Sequence, residues 1–363
     1  MSLIPYIKAM PKVELHVHLE GSIRPETLLK LARHNSVSLP ATTVAELQQW
    51  YTFTDFPHFI EVYKTISRCI RTPDDIELIT RDFLQGQAEQ NILYTEATYT
   101  ALTQYQNHKI PFAEQLAAIN RGRAWASSQL GVELGLIIDI PREWTTHEES
   151  LMVADWVIEN QGNGVVALGL GGYEVGHPPE KFASAFDRAQ AAGVPCIIHA
   201  GETMGAESIW GALRSAHACR IGHGVRCLED PILVTELRER QIPLEVCPTS
   251  NVCLKVFPEL AQHPLPELLR QGLYVTLNSD DPPMFNTTLT QEFVAAATQF
   301  HFPVETLEQL TLNAIHAALL PTSTRQVMAQ QFVQTFAQLR ATVTPAHPAP
   351  EVWGTTTDGG AGR

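Results

Sequence analysis

Positive charge is scarce in this chain. Lys and Arg number 25 against 39 Asp and Glu, a formal net charge of −14 over 363 residues. Binding a nucleic-acid polymer requires clustered cations to neutralise its phosphates, so this balance excludes one as a partner and leaves a small, neutral or weakly charged substrate. Charged residues of both signs make up only 18% and apolar residues 44%, enough for a large buried core. No run approaches the roughly 20 uninterrupted apolar residues that a membrane span requires. The start, MSLIPYIKAMPK, lacks the sustained apolar stretch of a secretory signal. Six cysteines (Cys69, Cys196, Cys219, Cys227, Cys247, Cys253) are scattered without a C-x-x-C pair, which suits a reduced, cytoplasmic protein rather than a disulfide framework. Nor does G-x-G-x-x-G follow any strand-like run, which removes the main reason to expect an open dinucleotide-binding sheet.

Short apolar or β-branched runs are abundant. They fall at Val13–Val17, Ile92–Thr98, Leu134–Ile140, Val165–Leu170, Cys196–His199, Arg220–His223, Leu244–Cys247 and Tyr274–Leu277. Between them lie stretches of helical period such as Pro179–Ala192 and Pro231–Arg240. Eight strands alternating with helices predict an α/β fold, a TIM-type (β/α)8 barrel. A helical, aromatic insertion is expected from about Thr42 to Arg71, after strand one, and extra C-terminal helices from about Gln291 to Gln338. Residues 1–340 read as one catalytic domain. Residues 341–363, rich in Thr, Pro and Gly, read as a disordered tail.

Nearly every strand ends in ionisable residues or glycines. The first ends His16-Val-His18-Leu-Glu20-Gly21, the fourth Gly171-Gly172-Tyr173-Glu174, and the fifth His199-Ala-Gly201-Glu202. The sixth ends Gly222-His223-Gly224 and the eighth Asn278-Ser-Asp280-Asp281. In a barrel these ends converge on one face, where active sites of this fold sit. His16 and His18 alternate along a strand and point to one side. With His199 and Asp280 they offer three imidazoles and a carboxylate, a donor set suited to one Zn2+ ion, whose task would be to acidify water. Glu202 is a candidate proton donor, and His223 a candidate base or electrostatic partner. Asp281, beside Asp280, diverges from it and is free for substrate or water. None of the lysines (Lys8, Lys12, Lys30, Lys64, Lys109, Lys181, Lys255) ends the fourth strand, so a lysine-bridged two-metal site is not expected. The H-x-E…P-C-x-x-C signature of the other zinc deaminase fold is missing too.

The segments P-K-V-E-L-H-V-H-L-E-G-S (Pro11–Ser22), H-A-G-E (His199–Glu202), R-I-G-H-G-V (Arg220–Val225), C-P-T-S-N (Cys247–Asn251) and N-S-D-D-P (Asn278–Pro282) resemble the adenosine/adenine deaminase family. The resemblance runs from about Pro11 to His316. It implies that His16, His18, His199 and Asp280 hold zinc, and that Glu202 protonates N1 of a purine as water attacks C6. It further implies that His223 accepts a proton from that water or stabilises it, that Asp281 bonds N7, and that the Gly172 backbone meets N3. The implied reaction is hydrolytic deamination of adenosine or a related adenine nucleoside to the inosine-type product plus ammonia. The alternatives are adenine, or the extended nucleoside of the aminofutalosine deaminase branch. Nucleoside-type members carry Asp where this chain has Glu20; by resemblance Glu20 meets the ribose, and by its own position it could instead cap a helix before Pro25. An apolar lid from Phe53, Phe56 and Phe59, or plain packing of these rings, is expected over the pocket. A hydrolase acting on an amide or another amino-heterocycle, and a silent binding protein, are the competing functions.

Overall fold

The computed structural model describes residues 3–343. Among them eight strands form one parallel sheet in chain order: β1 (Lys12–His18), β2 (Ile92–Tyr99), β3 (Glu133–Pro141), β4 (Val165–Gly171), β5 (Cys196–Ala200), β6 (Ala218–His223), β7 (Leu244–Val246) and β8 (Val275–Leu277). Helices cover its outer side, so the strands are buried on both faces, and this is why their runs are continuously apolar rather than alternating. The sheet curls into a nearly closed (β/α)8 barrel. At the seam, Val17 bridges to Asp280. The His18 N–H donates to the Asp280 carbonyl at 2.9 Å, and the Asp280 N–H to the His16 carbonyl at 3.1 Å. The Asn278 side-chain oxygen accepts the Leu15 and His16 N–H groups at 2.9 and 3.1 Å. Closure therefore occurs at the residues that sequence reading placed in the site.

The insertion after β1 is helical, as expected, and runs through Pro25–His34, Val44–Trp50 and Phe56–Ser67 before the helix Pro73–Glu89 that leads into β2. Its helix starts are encoded locally. Thr43 with Glu46 and Thr72 with Asp75 form reciprocal capping boxes, and Asp55 accepts the His58 N–H ahead of Phe56. Each such cap stabilises its helix by about 1 kcal/mol. The C-terminal helices are Leu289–Gln299, Val304–Ala317 and Thr322–Val343. The last extends three residues into the segment expected as tail; the rest of that segment, 344–363, lies outside the described residues. Among the described residues no helix is long and apolar enough to cross a membrane.

The barrel interior departs from layered aliphatic packing. Arg220 of β6 lies in its centre. It donates to Glu245 of β7 and Glu96 of β2, each at 2.6 Å, and to the Ala317 carbonyl at 2.9 Å. Burial opposes its charge, but the two carboxylates hold the guanidinium firmly protonated. A buried cation pinned by two acids is costly to break from either side.

Candidate active site

The barrel brings His16, His18, His199, His223, Glu202, Asp280 and Asp281 to one pole, all buried. Their tautomers can be read from their outer partners. His16 Nδ1 lies 2.8 Å from Glu245 Oε2, and His199 Nδ1 lies 3.0 Å from the Leu170 carbonyl. Both partners accept only, so each imidazole carries its proton on Nδ1 and turns the Nε2 lone pair inward. His18 Nε2 lies 3.1 Å from His199 Nε2 and 3.3 Å from Asp280 Oδ1, and His16 Nε2 lies 3.5 Å from the same Asp280 oxygen. Among the described residues His16 Nε2 has no hydrogen-bond partner despite full burial.

Inward lone pairs gathered on one buried point repel each other unless a cation lies between them. Zn–N bonds of about 2.0–2.1 Å in a tetrahedron separate ligand atoms by roughly 3.3 Å, the spacing these atoms show. The donor set thus fits a metal ion. His16, His199, His223 and Asp280 also present ligand atoms within 4.8 Å of one another, so proximity alone does not choose between His18 and His223. Glycine makes the approach possible: a Cβ on Gly222 would lie 2.8 Å from His16 Cε1, and one on Gly21 only 1.5 Å from Asp281 Oδ1.

Two of these residues are held in the left-handed region, His223 at φ 61° and Asp280 at φ 66°. That conformation is unfavourable for a residue with a side chain and persists because the surroundings enforce it. Ser250 donates its hydroxyl to Asp280 Oδ2 at 2.6 Å. Burial works against the Asp280 charge, yet the imidazoles of His16 and His18 beside it hold its carboxyl well below the ordinary range. Glu202 behaves oppositely. Burial first, then the Asp280 and Glu174 charges, push its carboxyl well above the ordinary range, which favours the neutral, proton-donating form.

Glu174, unassigned by sequence reading, shapes the turn that presents Glu202. Its carboxylate accepts the N–H groups of Gly201 (2.9 Å), Glu202 (2.9 Å), Thr203 (2.8 Å) and Met204 (3.3 Å), and the Ser208 hydroxyl.

A cavity opens onto this cluster, and His18, Gly172, Glu202, His223 and Asp281 line it. Phe56 and Phe59 form its apolar wall. Phe56 stacks on Tyr173 at 5.3 Å, while Phe53 packs behind, against Phe59 at 5.4 Å. Glu20 is buried, and both of its carboxylate oxygens accept hydrogen bonds. It neither caps a helix nor turns a free oxygen outward: Oε1 accepts the Thr100 N–H at 3.0 Å, and Oε2 the Tyr63 hydroxyl at 3.3 Å. The acid that faces the cavity on that side is Asp139 of β3, which sequence reading missed. It is 3% exposed and lines the cavity, and its Oδ1 has no partner among the described residues. The available signal was an aspartate interrupting the apolar run L-G-L-I-I-D-I-P.

Comparison with known proteins agrees with this geometry. Residues 11–335 match the Adenosine deaminase family. The chain is 41% identical to an aminodeoxyfutalosine deaminase of Streptomyces avermitilis, over 87% of this chain and 88% of that one. It is 38% identical to an adenine deaminase of Stutzerimonas stutzeri, over 86% and 98% of the two chains. A solved amidohydrolase from Burkholderia ambifaria with bound Zn superposes with a TM-score of 0.86 at 27% identity, over 93% of each chain. With a matching family over most of its length, a (β/α)8 barrel and a buried His/Asp cluster, this chain belongs to the adenosine deaminase family and is a hydrolytic aminohydrolase.

Proposed function

We propose that the enzyme hydrolyses the 6-amino group of an adenine nucleoside, releasing ammonia and the inosine-type product. One observation carries the reading. Glu202 Oε1, Asp281 Oδ1 and Asp139 Oδ1 are buried, lack hydrogen-bond partners among the described residues, and belong to residues lining one cavity beside the histidine cluster. Buried polar atoms are rarely left unpaired, so three around one space mark the places where a polar ligand supplies the missing bonds.

His16, His18, His199 and Asp280 would hold one Zn2+ ion. Bound there, it supplies the Lewis acidity that makes water nucleophilic near neutral pH. Glu202, kept neutral by burial, donates its proton to N1, which drains electron density from C6 and lets water add there. His223 Nε2 stands 3.7 Å from Glu202 and 4.0 Å from Asp280, beside the same point. Burial and the Asp280 charge push the Asp281 carboxyl well up, so Asp281 can donate to N7. Gly172, at φ 91°, brings backbone to the cavity wall where N3 would lie. Expulsion of ammonia then leaves a carbonyl at C6. The aromatic wall excludes bulk water and strengthens each of these contacts.

The unpartnered Asp139 oxygen in the cavity wall is an acceptor beyond the groups that a bare purine engages, which favours a nucleoside. Asp139, rather than Glu20, is the acceptor available to a ribose hydroxyl. Glu202→Gln tests the reading. The variant should fold and keep its metal, while kcat for adenosine falls by about 10²–10⁴-fold, the usual worth of a positioned acid. Turnover within a few-fold of wild type would remove Glu202 from the proton-donor role.

A further inference from the structure

Three buried side chains lead away from the reacting centre, and their hydrogen bonds all run one way. The Leu265 backbone N–H can only donate, and it donates to His263 Nδ1 at 3.1 Å. Burial pushes His263 down to about 3, so its ring is neutral and its single proton sits on Nε2. That Nε2–H donates to Asn251 Oδ1 at 3.1 Å. The amide is thereby oriented: Asn251 Nδ2 faces His223 Nδ1 at 3.2 Å and donates to it. His223 accepts at Nδ1 and so carries no proton there. Its proton must therefore sit on Nε2, the nitrogen facing Glu202 and Asp280. His16 and His199 are the reverse, because their outer nitrogens meet acceptors.

We propose that Asn251 and His263 are positioning residues that lock His223 in the Nε2–H tautomer, so that it faces the reaction as a hydrogen-bond donor and stays outside the metal's ligand set. A ligand needs an inward lone pair, and His223 has none in this tautomer. The ambiguity left by proximity is thus resolved in favour of His18. For the chemistry, which rests on the proposed deamination, His223 orients the attacking water and stabilises its developing negative charge. The proton shed by that water passes to the Glu202 carboxylate, which has just given its own to N1. Glu202 then delivers this proton to the departing amine as the C6–N bond breaks. The C6 hydroxyl proton returns to Glu202, leaving the C6 carbonyl and free ammonia.

The test is 15N NMR of histidine-labelled protein, metal-free and zinc-loaded, with His223 assigned by loss of its signals in His223→Gln. The expected result is a protonated Nε2 and an unprotonated Nδ1 in both forms. A protonated Nδ1 would overturn the proposal. Asn251→Asp replaces the donor by an acceptor, which should move the His223 proton to Nδ1. A wrong tautomer should then lower kcat by at least about 100-fold with a much smaller change in KM. His263→Gln retains a side-chain N–H donor and should keep the Nε2–H signature, whereas His263→Leu should weaken it. A folded Asn251→Asp protein whose tautomer is unchanged would also overturn the proposal. The spectra are read without turnover, so failure of the deaminase reading would leave them unaffected and be separately visible.

Discussion

Glu245→Gln keeps the volume of the side chain below His16 but gives it an amide that cannot serve both neighbours. In the wild type, Glu245 Oε2 accepts the His16 Nδ1–H at 2.8 Å, and Oε1 accepts the Arg220 Nε–H at 2.6 Å. Gln offers one acceptor and one donor. If its oxygen faces Arg220, its NH2 group points at His16 Nδ1 and forces the imidazole proton onto Nε2, which destroys the inward lone pair. If its oxygen faces His16, the NH2 group opposes the Arg220 N–H, and one buried donor goes unpaired at a cost of about 1–3 kcal/mol. Arg220 keeps its bond to Glu96 in either case, so the fold should survive. Losing the partner that orients a metal-binding histidine typically costs 10–100-fold in metal affinity, or about 1.4–2.7 kcal/mol. Competition against a calibrated chelator at pH 7.5 measures this directly. Circular dichroism and a thermal scan would confirm that the variant is folded. A metal affinity within about two-fold of wild type, in a folded variant, would refute the idea that Glu245 sets the His16 tautomer.

Two further outcomes are expected. Asp139→Asn should lower kcat/KM for a nucleoside about ten-fold, the worth of one hydrogen bond to a charged group, and more than it does for adenine; equal losses with both substrates would take Asp139 away from the ribose. Lys12, fully enclosed, has its ammonium pushed down to about 7 by burial. The unfolded chain therefore binds the extra proton between about pH 7 and 10.5, and the Lys12 contribution to stability must rise with pH across that window. Relative to Lys12→Met, wild-type unfolding free energy should climb by up to about 1.4 kcal/mol per pH unit above pH 7, and parallel curves in urea titrations at pH 7 and 9 would disprove it.

Much of this was legible because parallel barrel strands announce themselves. All eight apolar runs became strands within a residue or two of their expected bounds, and Pro231–Arg240 formed a helix over the expected residues. The last two strands are shorter than expected, since Cys247 already caps the short helix Pro248–Cys253 and Tyr274 falls just before β8. The metal-type donors could be found because their residue types are chemically distinctive and end the strands. What stayed hidden were charges inside strands. Asp139, Glu96, Arg220 and Glu245 interrupt apolar runs, and a linear pattern cannot say whether such a residue turns outward or into a closed barrel. Only closure sets Arg220 between Glu96 and Glu245, residues 124 and 25 positions away. Glu20 shows the converse limit. The motif around it is distinctive, yet its hydrogen bonds to Thr100 and Tyr63 depend on β2 and the inserted helix, whose arrangement no local pattern encodes. The relay runs from Asn251, in the short helix Pro248–Cys253, to His263 in a loop twelve residues on, without the periodicity that makes longer helices and strands readable.

Ammonia release by the zinc-loaded protein, measured side by side with adenosine, aminodeoxyfutalosine and adenine at matched concentrations, decides whether this barrel deaminates adenine nucleosides. Ammonia from the nucleosides at a clearly higher kcat/KM than from adenine is the expected result. Ammonia from none of the three, with folded and metal-loaded protein, would contradict it.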